Sequence, residues 1–190
     1  MGQRPTYVYY PTRALVSMFL DLAEGESVEV SIIGCTCMVG IGALDEPSFY
    51  RATVRSAGLA YRISVDILKS VANNCPAYLQ GTNSATRRLL ANMAQTVVCS
   101  KHHSIEQQII RWLLTTLDYS SVSTIQITQQ ELADLLGFRR EAVSLVIKKL
   151  QLRDEVRVRR GQLEVLNKLA LEKASCDCYW IDRERNISLI

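Results

Sequence analysis

The chain has 190 residues, 48% of them hydrophobic and 22% charged, with a net charge of +3. This is the composition of a globular protein of one or two domains, long enough to close a core. No apolar run approaches the ~20 residues of a membrane-spanning helix. The opening MGQRPTYVYYP lacks the charged-then-apolar layout of a secretory signal. Met1-Gly2 followed by Thr6 fits a myristoylation pattern, but one short enough for chance to supply. A cytoplasmic protein whose six cysteines are thiols is the expectation.

Residues 6–63 read as β structure. Thr6–Tyr10 and Ala14–Leu20 are strand-like on either side of Pro11-Thr12-Arg13. Glu24-Gly25-Glu26 predicts a turn, after which Ser27–Ile33 alternates up to Gly34. Gly40 and Gly42 punctuate the next stretch. Arg51–Ser56 and Gly58–Ile63 then read as a further pair of strands turning at Ala57-Gly58. Short strands between glycine turns imply a sandwich or barrel.

Helical periodicity takes over at Ser64. A short helix to Asn74 places Val65, Leu68 and Val71 or Ala72 on one side, with Ser64 as its cap. Pro76, tolerated in a first turn, opens a longer helix running to Lys101, about 26 residues or ~39 Å. Leu79, Thr86, Leu90, Met93 and Val97 fall along it at heptad-like spacings. Such a seam fits a partner helix or one side of a monomeric core. Ser104 and Gln107 have capping-box spacing, and Ile105, Ile109, Trp112 and Leu113 carry a further helix to Leu117. Residues 118–125, DYSSVSTI, read as a polar link.

Two short amphipathic helices follow. Leu132, Leu135 and Leu136 mark the first, begun by a capping box of Thr128 and Glu131. Val143, Val146, Ile147 and Leu150 mark the second. Between them Gly137 can take the left-handed conformation that ends a helix, so the unit is a helix-turn-helix. At about 100° per residue, Glu141, Ser144, Leu145, Lys148 and Lys149 fall opposite the apolar stripe of the second helix. Arg139 and Arg140 stand in its first turn. Residues 139–160 hold eight lysines and arginines against three acids, more positive charge than the whole chain carries net. A charge surplus confined to one motif is the footprint of a phosphate-binding surface, although a solvated face of a packing hairpin has the same look. Glu155–Arg159 alternates, Arg160-Gly161 turns, and Gln162–Leu166 resumes the alternation. This β-hairpin reads as the wing of a winged helix-turn-helix, with Arg159 and Arg160 placed to reach backbone phosphates.

The stretch TQQELADLLGFRREAVSLVIKKLQ with its short wing resembles the DNA-binding domain of the Crp/Fnr transcription regulators. The family's recognition-helix pattern R-E-x-V-x-R-x-x-K-x-L falls here on Arg140, Glu141, Val143, Leu145, Lys148 and Leu150. The resemblance implies base contacts by Arg140 and Glu141, and places Gln130 and Lys148 near phosphates or base edges. Leu145 departs from it: a leucine offers only apolar contact, for instance to a thymine methyl. The resemblance also makes the long helix a parallel dimer seam and residues 6–63 the later half of the family's sensor barrel, without its opening helix and first strands.

The family's cyclic-nucleotide pocket pairs a glycine-glutamate with an arginine before a strand. Here Ile41 follows Gly40, and Arg51 is offset by one position, which turns its side chain to the opposite face. Cyclic AMP is therefore not expected, and Arg51 reads as a surface strand residue. The CxC pairs Cys35/Cys37 and Cys176/Cys178, with Cys75, Cys99, His102 and His103, leave room for a metal or redox sensor. Free cysteines are the plainer reading, and no metal or other cofactor is expected. No Ser-His-Asp, paired-carboxylate or phosphate-loop arrangement points to an enzyme.

The expected fold is α+β: a partial antiparallel, jelly-roll-like barrel, a long dimerisation helix and a C-terminal winged helix-turn-helix. The division is 1–75 sensor, 76–101 dimerisation helix, 102–175 reader and 176–190 tail, the tail either packing on the reader or loose. The expected function is a homodimeric, sequence-specific regulator that works without cyclic AMP, against a metal or redox sensor or an interaction module without DNA. Double-stranded DNA, a second copy of the chain and RNA polymerase are the expected partners, with no membrane.

Overall fold

The computed structural model describes residues 4–40, 47–72, 74–119 and 123–187, the side chain of Ile187 excepted. Gly2, Ile41, Gly42 and positions 120–122 of the polar link therefore lie outside the described residues. Five strands come first: β1 (Tyr7–Pro11), β2 (Leu15–Asp21), β3 (Ser27–Ile33), β4 (Arg51–Ser56) and β5 (Ala60–Ser64). All pairings are antiparallel, as an incomplete barrel of two small sheets. One sheet has the order β3-β2-β4 and the other is β1-β5, with a bridge from Tyr9 to Val39.

One pairing differs from the sequence reading. Arg51–Ser56 and Gly58–Ile63 do not form a hairpin: β4 pairs with β2, whereas β5 starts at Ala60 and pairs with β1. The intervening chain crosses between the sheets. Leu59 O accepts from Thr12 N at 2.8 Å and Arg13 N at 3.0 Å. A side chain at Gly58 would run into the backbone of Arg13 and Ala14. This glycine serves a close backbone approach, which the short spacing disguised as a turn.

Helices follow. α1 (Val65–Ala72) begins where Ser64 Oγ accepts from Ile67 N, and α2 (Pro76–His102) runs 27 residues, about 40 Å. α2 presents three faces. Ala85, Leu89 and Met93 lie against the sheets. Ala91, Gln95 and Cys99 meet the C-terminal helix. Leu79, Thr86, Leu90 and Val97 are exposed. α3 (Ile105–Asp118) starts with the Ser104/Gln107 capping box and is the buried axis of the C-terminal half, with Ile109, Ile110, Leu113 and Leu114 fully enclosed. Burying each such side chain stabilises the fold by about 1.5–3 kcal/mol.

The remaining elements pack around α3: β6 (Thr124–Gln126), α4 (Gln129–Leu136), α5 (Arg140–Leu152), β7 (Val156–Arg159), β8 (Gln162–Val165), α6 (Lys168–Ala174) and α7 (Asp177–Ile187). β6 completes a sheet of order β6-β8-β7 and begins in the stretch read as a link. Three residues are too few to show a period, and the strand exists only because β8 pairs with it. The tail packs. Tyr179 is wholly buried and donates to Asp118 Oδ2 at 3.0 Å, and Arg111 and Asp182 form an enclosed ion pair at 2.6 Å.

Candidate nucleic-acid interface

The helix-turn-helix is built from local rules. Thr128 Oγ1 accepts from Glu131 N while a Glu131 carboxylate oxygen accepts from Thr128 N at 2.7 Å, which starts α4. This bond to the backbone holds the Glu131 carboxyl below its usual range. Gly137 sits at φ 70°, ψ 33°, and Phe138 N donates to Ala133 O at 2.9 Å, which ends α4 and aims the chain into α5. Val143, Val146, Ile147 and Leu150 anchor α5 in the core. Ser144 Oγ donates to Gln129 Oε1 at 2.6 Å and fixes the two helices to each other.

The outer side of α5 is polar and open. Arg139, Arg140, Glu141, Lys148 and Lys149 are exposed, and Leu145 is 64% exposed among them. Ser144 differs from its neighbours: it is half-buried, and its hydroxyl is engaged with Gln129. Gln130 is exposed and donates to Asp134 Oδ1 at 2.7 Å. Arg139 is the helix N-cap and makes no side-chain cap, so the first amides of α5 are not covered by it.

The wing turns at Arg160 (φ 43°) and Gly161 (φ 80°), the two left-handed positions of a tight hairpin. Gly161 O accepts from Ile127 N at 2.9 Å, which ties the wing tip to the start of α4. Arg159 and Arg160 are exposed at that tip. Two of the eight cations between 139 and 160 are held by carboxylates. Arg153 pairs with Glu106 at 2.6 Å and Glu155 at 3.0 Å, and Arg157 pairs with Glu164 at 3.3 Å. Arg139, Arg140, Lys148, Lys149, Arg159 and Arg160 have no ion-pair partner among the described residues.

Elsewhere, Leu79, Thr86, Leu90 and Val97 lie open on α2, Leu90 with 66% of its surface exposed. Met93 instead turns toward the sheets, where Tyr50 Oη lies 4.0 Å from its sulfur. Arg51 projects from an exposed strand edge, pairs with Asp21 at 2.7 Å and stacks 4.5 Å over Phe19. A cleft of about 400 Å³ lies between β3, α2, α3 and α7, lined by Val30, Ile32, Met93, Arg111 and Trp112 among others. The two CxC pairs do not gather. Cys37 packs beneath α2 and points its thiol at Ala85 O, whereas Cys176 and Cys178 meet Cys99 and His103. Sequence spacing concealed that second grouping, because its halves lie more than seventy residues apart.

The Crp-like helix-turn-helix domain matches residues 107–174. No curated protein matches the chain. Among solved structures, FixK2 from Bradyrhizobium japonicum superposes with a TM-score of 0.77 at 14% identity, over 92% of this chain and 90% of that one. A CRP-family transcriptional regulator of Thermus thermophilus gives 0.73 at 18% identity, over 90% and 88%. A CRP/FNR-family regulator of the same organism gives 0.69 at 19% identity, over 90% and 87%. The chain is a protein of the Crp/Fnr fold whose residues 107–174 belong to the Crp-like helix-turn-helix domain family.

Proposed function

We propose that this protein is a homodimeric transcription regulator that reads a pseudo-palindromic DNA site without cyclic AMP. The observation that carries the reading is the set of six exposed cations on the outer side of α5 and the wing tip, without ion-pair partners among the described residues. Phosphates are the partners that such a set of clustered, unpaired cations fits. Arg140 and Glu141 read base edges in the major groove. Gln130, Arg139, Lys148 and Lys149 flank them, and Arg159 and Arg160 hold the backbone beside the groove. Leu145 supplies an apolar contact in place of a second hydrogen-bonding reader, so the preferred half-site differs from an arginine-read one. Ser144 holds α4 to α5 and sets the angle of the reader.

The exposed stripe of Leu79, Thr86, Leu90 and Val97 supports α2 as the dimer helix, pairing two readers about 34 Å apart on successive grooves. Residues 1–75 would act as sensor, 76–101 as dimer helix and 102–175 as reader, with 176–190 bracing the helix junction. An Arg51 engaged by Asp21 on an open strand supports the absence of a cyclic-nucleotide phosphate site. Selection of bound duplexes from a random library tests the reading. Enrichment of an inverted repeat with half-sites one helical turn apart is expected; failure to shift any duplex at low salt overturns it.

A further inference from the structure

We propose that Cys99, His103, Cys176 and Cys178 form a mononuclear tetrahedral zinc site that clips α7 onto the end of α2. The three cysteines are buried, at 1, 3 and 2% exposure, and form a cluster of their own apart from the hydrophobic cores. His103 closes the open side, half-buried at the C-cap of α2. The four ligand atoms all lie within 4.8 Å of one another.

The spacing is that of a coordination tetrahedron. Zinc bonds of about 2.3 Å to sulfur and about 2.0–2.1 Å to nitrogen put tetrahedral edges at about 3.8 Å for S···S and about 3.5 Å for S···N. Cys99 Sγ and Cys176 Sγ stand 3.8 Å apart, and Cys178 Sγ stands 3.4 Å from His103 Nδ1. An iron–sulfur cluster is itself several ångströms across and would spread its four ligands further. Three soft thiolates with one imidazole are a zinc donor set, and four protein ligands leave no open position.

The surroundings complete the site. Gln95 Nε2 donates to Cys178 Sγ at 3.0 Å, a bond that orients a ligating sulfur and lowers its charge. Three thiolates on a divalent ion leave one net negative charge, and the Arg111 guanidinium, itself paired with Asp182, lies near Cys99. Each side supplies two ligands: Cys99 and His103 lie one turn apart at the end of α2, and Cys176 and Cys178 flank the first residue of α7. The metal thus joins the last helix to the junction where α2 hands over to α3. It does not depend on the DNA reading.

The test uses the full chain with reduced thiols and Co²⁺, then Zn²⁺, as probes. We expect the strong visible bands of tetrahedral cobalt thiolate to saturate at one equivalent and to vanish when one equivalent of Zn²⁺ is added. Cys178→Ser abolishes the bands, and Gln95→Leu weakens cobalt affinity by about 10- to 100-fold. Exposed Cys75→Ser leaves both unchanged. Should Cys178→Ser fail to fold, the native spectrum still decides. A weak octahedral spectrum, saturation at another stoichiometry, or a Cys99–Cys176 disulfide that persists under the reducing conditions overturns the proposal.

Discussion

The indole Nε1 of Trp112 donates to Glu29 Oε1 at 2.7 Å, joining the middle of β3 to the axis of the C-terminal half. Both groups are buried, and Glu29 Oε2 has no partner among the described residues. Burial pushes the Glu29 carboxyl above its usual range, against the Ser17 hydroxyl, the indole bond and the field of Arg55. A carboxyl raised in the folded state binds more protons there than in the unfolded chain. Its contribution is fully present below the ordinary carboxylate pKa and is lost as pH rises through the raised one. Denaturant midpoints across that window should therefore fall with pH in the native protein and fall less in Glu29→Gln. Trp112→Phe leaves a buried carboxyl oxygen without its donor and should cost about 1–3 kcal/mol. Equal pH slopes in the native protein and Glu29→Gln would assign the dependence elsewhere.

On the proposed reading, Arg140 meets a base edge and Arg159 a backbone phosphate, and their variants should differ accordingly. Arg140→Ala is expected to lose about 1–3 kcal/mol at one base position and relax the preference there. Arg159→Ala should weaken all duplexes alike and reduce the salt slope by about 1. Binding titrations with the selected site and scrambled duplexes at several salt concentrations separate the two. Unchanged discrimination in Arg140→Ala removes Arg140 from the base contacts.

Leu90 lies on the open face of α2, so replacing it disturbs little within one chain. Leu90→Glu should leave the thermal midpoint of the isolated fold nearly unchanged and halve the mass seen in sedimentation. Burying a leucine is worth about 1.5–3 kcal/mol, and a parallel seam buries one from each copy beside a carboxylate that cannot be paired. A native protein that sediments as a monomer at all concentrations would leave α2 without a partner.

Local rules made much of this legible in the sequence. The capping boxes at Ser104 and Thr128, the glycine at 137 and the stripes of α4 and α5 each depend on residues within one or two turns. What escaped was set by distant contacts. Gly58 passes for a turn until Arg13 is seen against it, and β6 exists only because β8 pairs with it. Met93 shares a heptad spacing with Leu79 and Leu90 but lies toward the sheets, since the spacing does not say which of two neighbours a side faces. Ser144 reads as an outward residue until Gln129 is placed beside it. The cysteine grouping needed α7 to fold back onto α2, and a mixed-charge tail gives no periodic sign of doing so.

That fold-back rests on Arg111 and Asp182, whose side chains meet at 2.6 Å in an enclosed setting between α3 and α7. Arg111 also donates to Thr96 Oγ1 on α2 at 3.3 Å, so one guanidinium of α3 touches both α2 and α7. Desolvation raises the Asp182 carboxyl, and Arg111 opposes that shift. Removing the acid leaves a buried cation without compensation, which typically costs about 3–5 kcal/mol. Asp182→Ala should therefore lower the denaturation midpoint by that amount and expose the α7 amides to hydrogen exchange. Arg111→Met with Asp182→Leu, which buries no charge, should recover most of the loss. If Asp182→Ala keeps the native midpoint and α7 protection, the helix is held by Tyr179 and the cysteine cluster rather than by this pair.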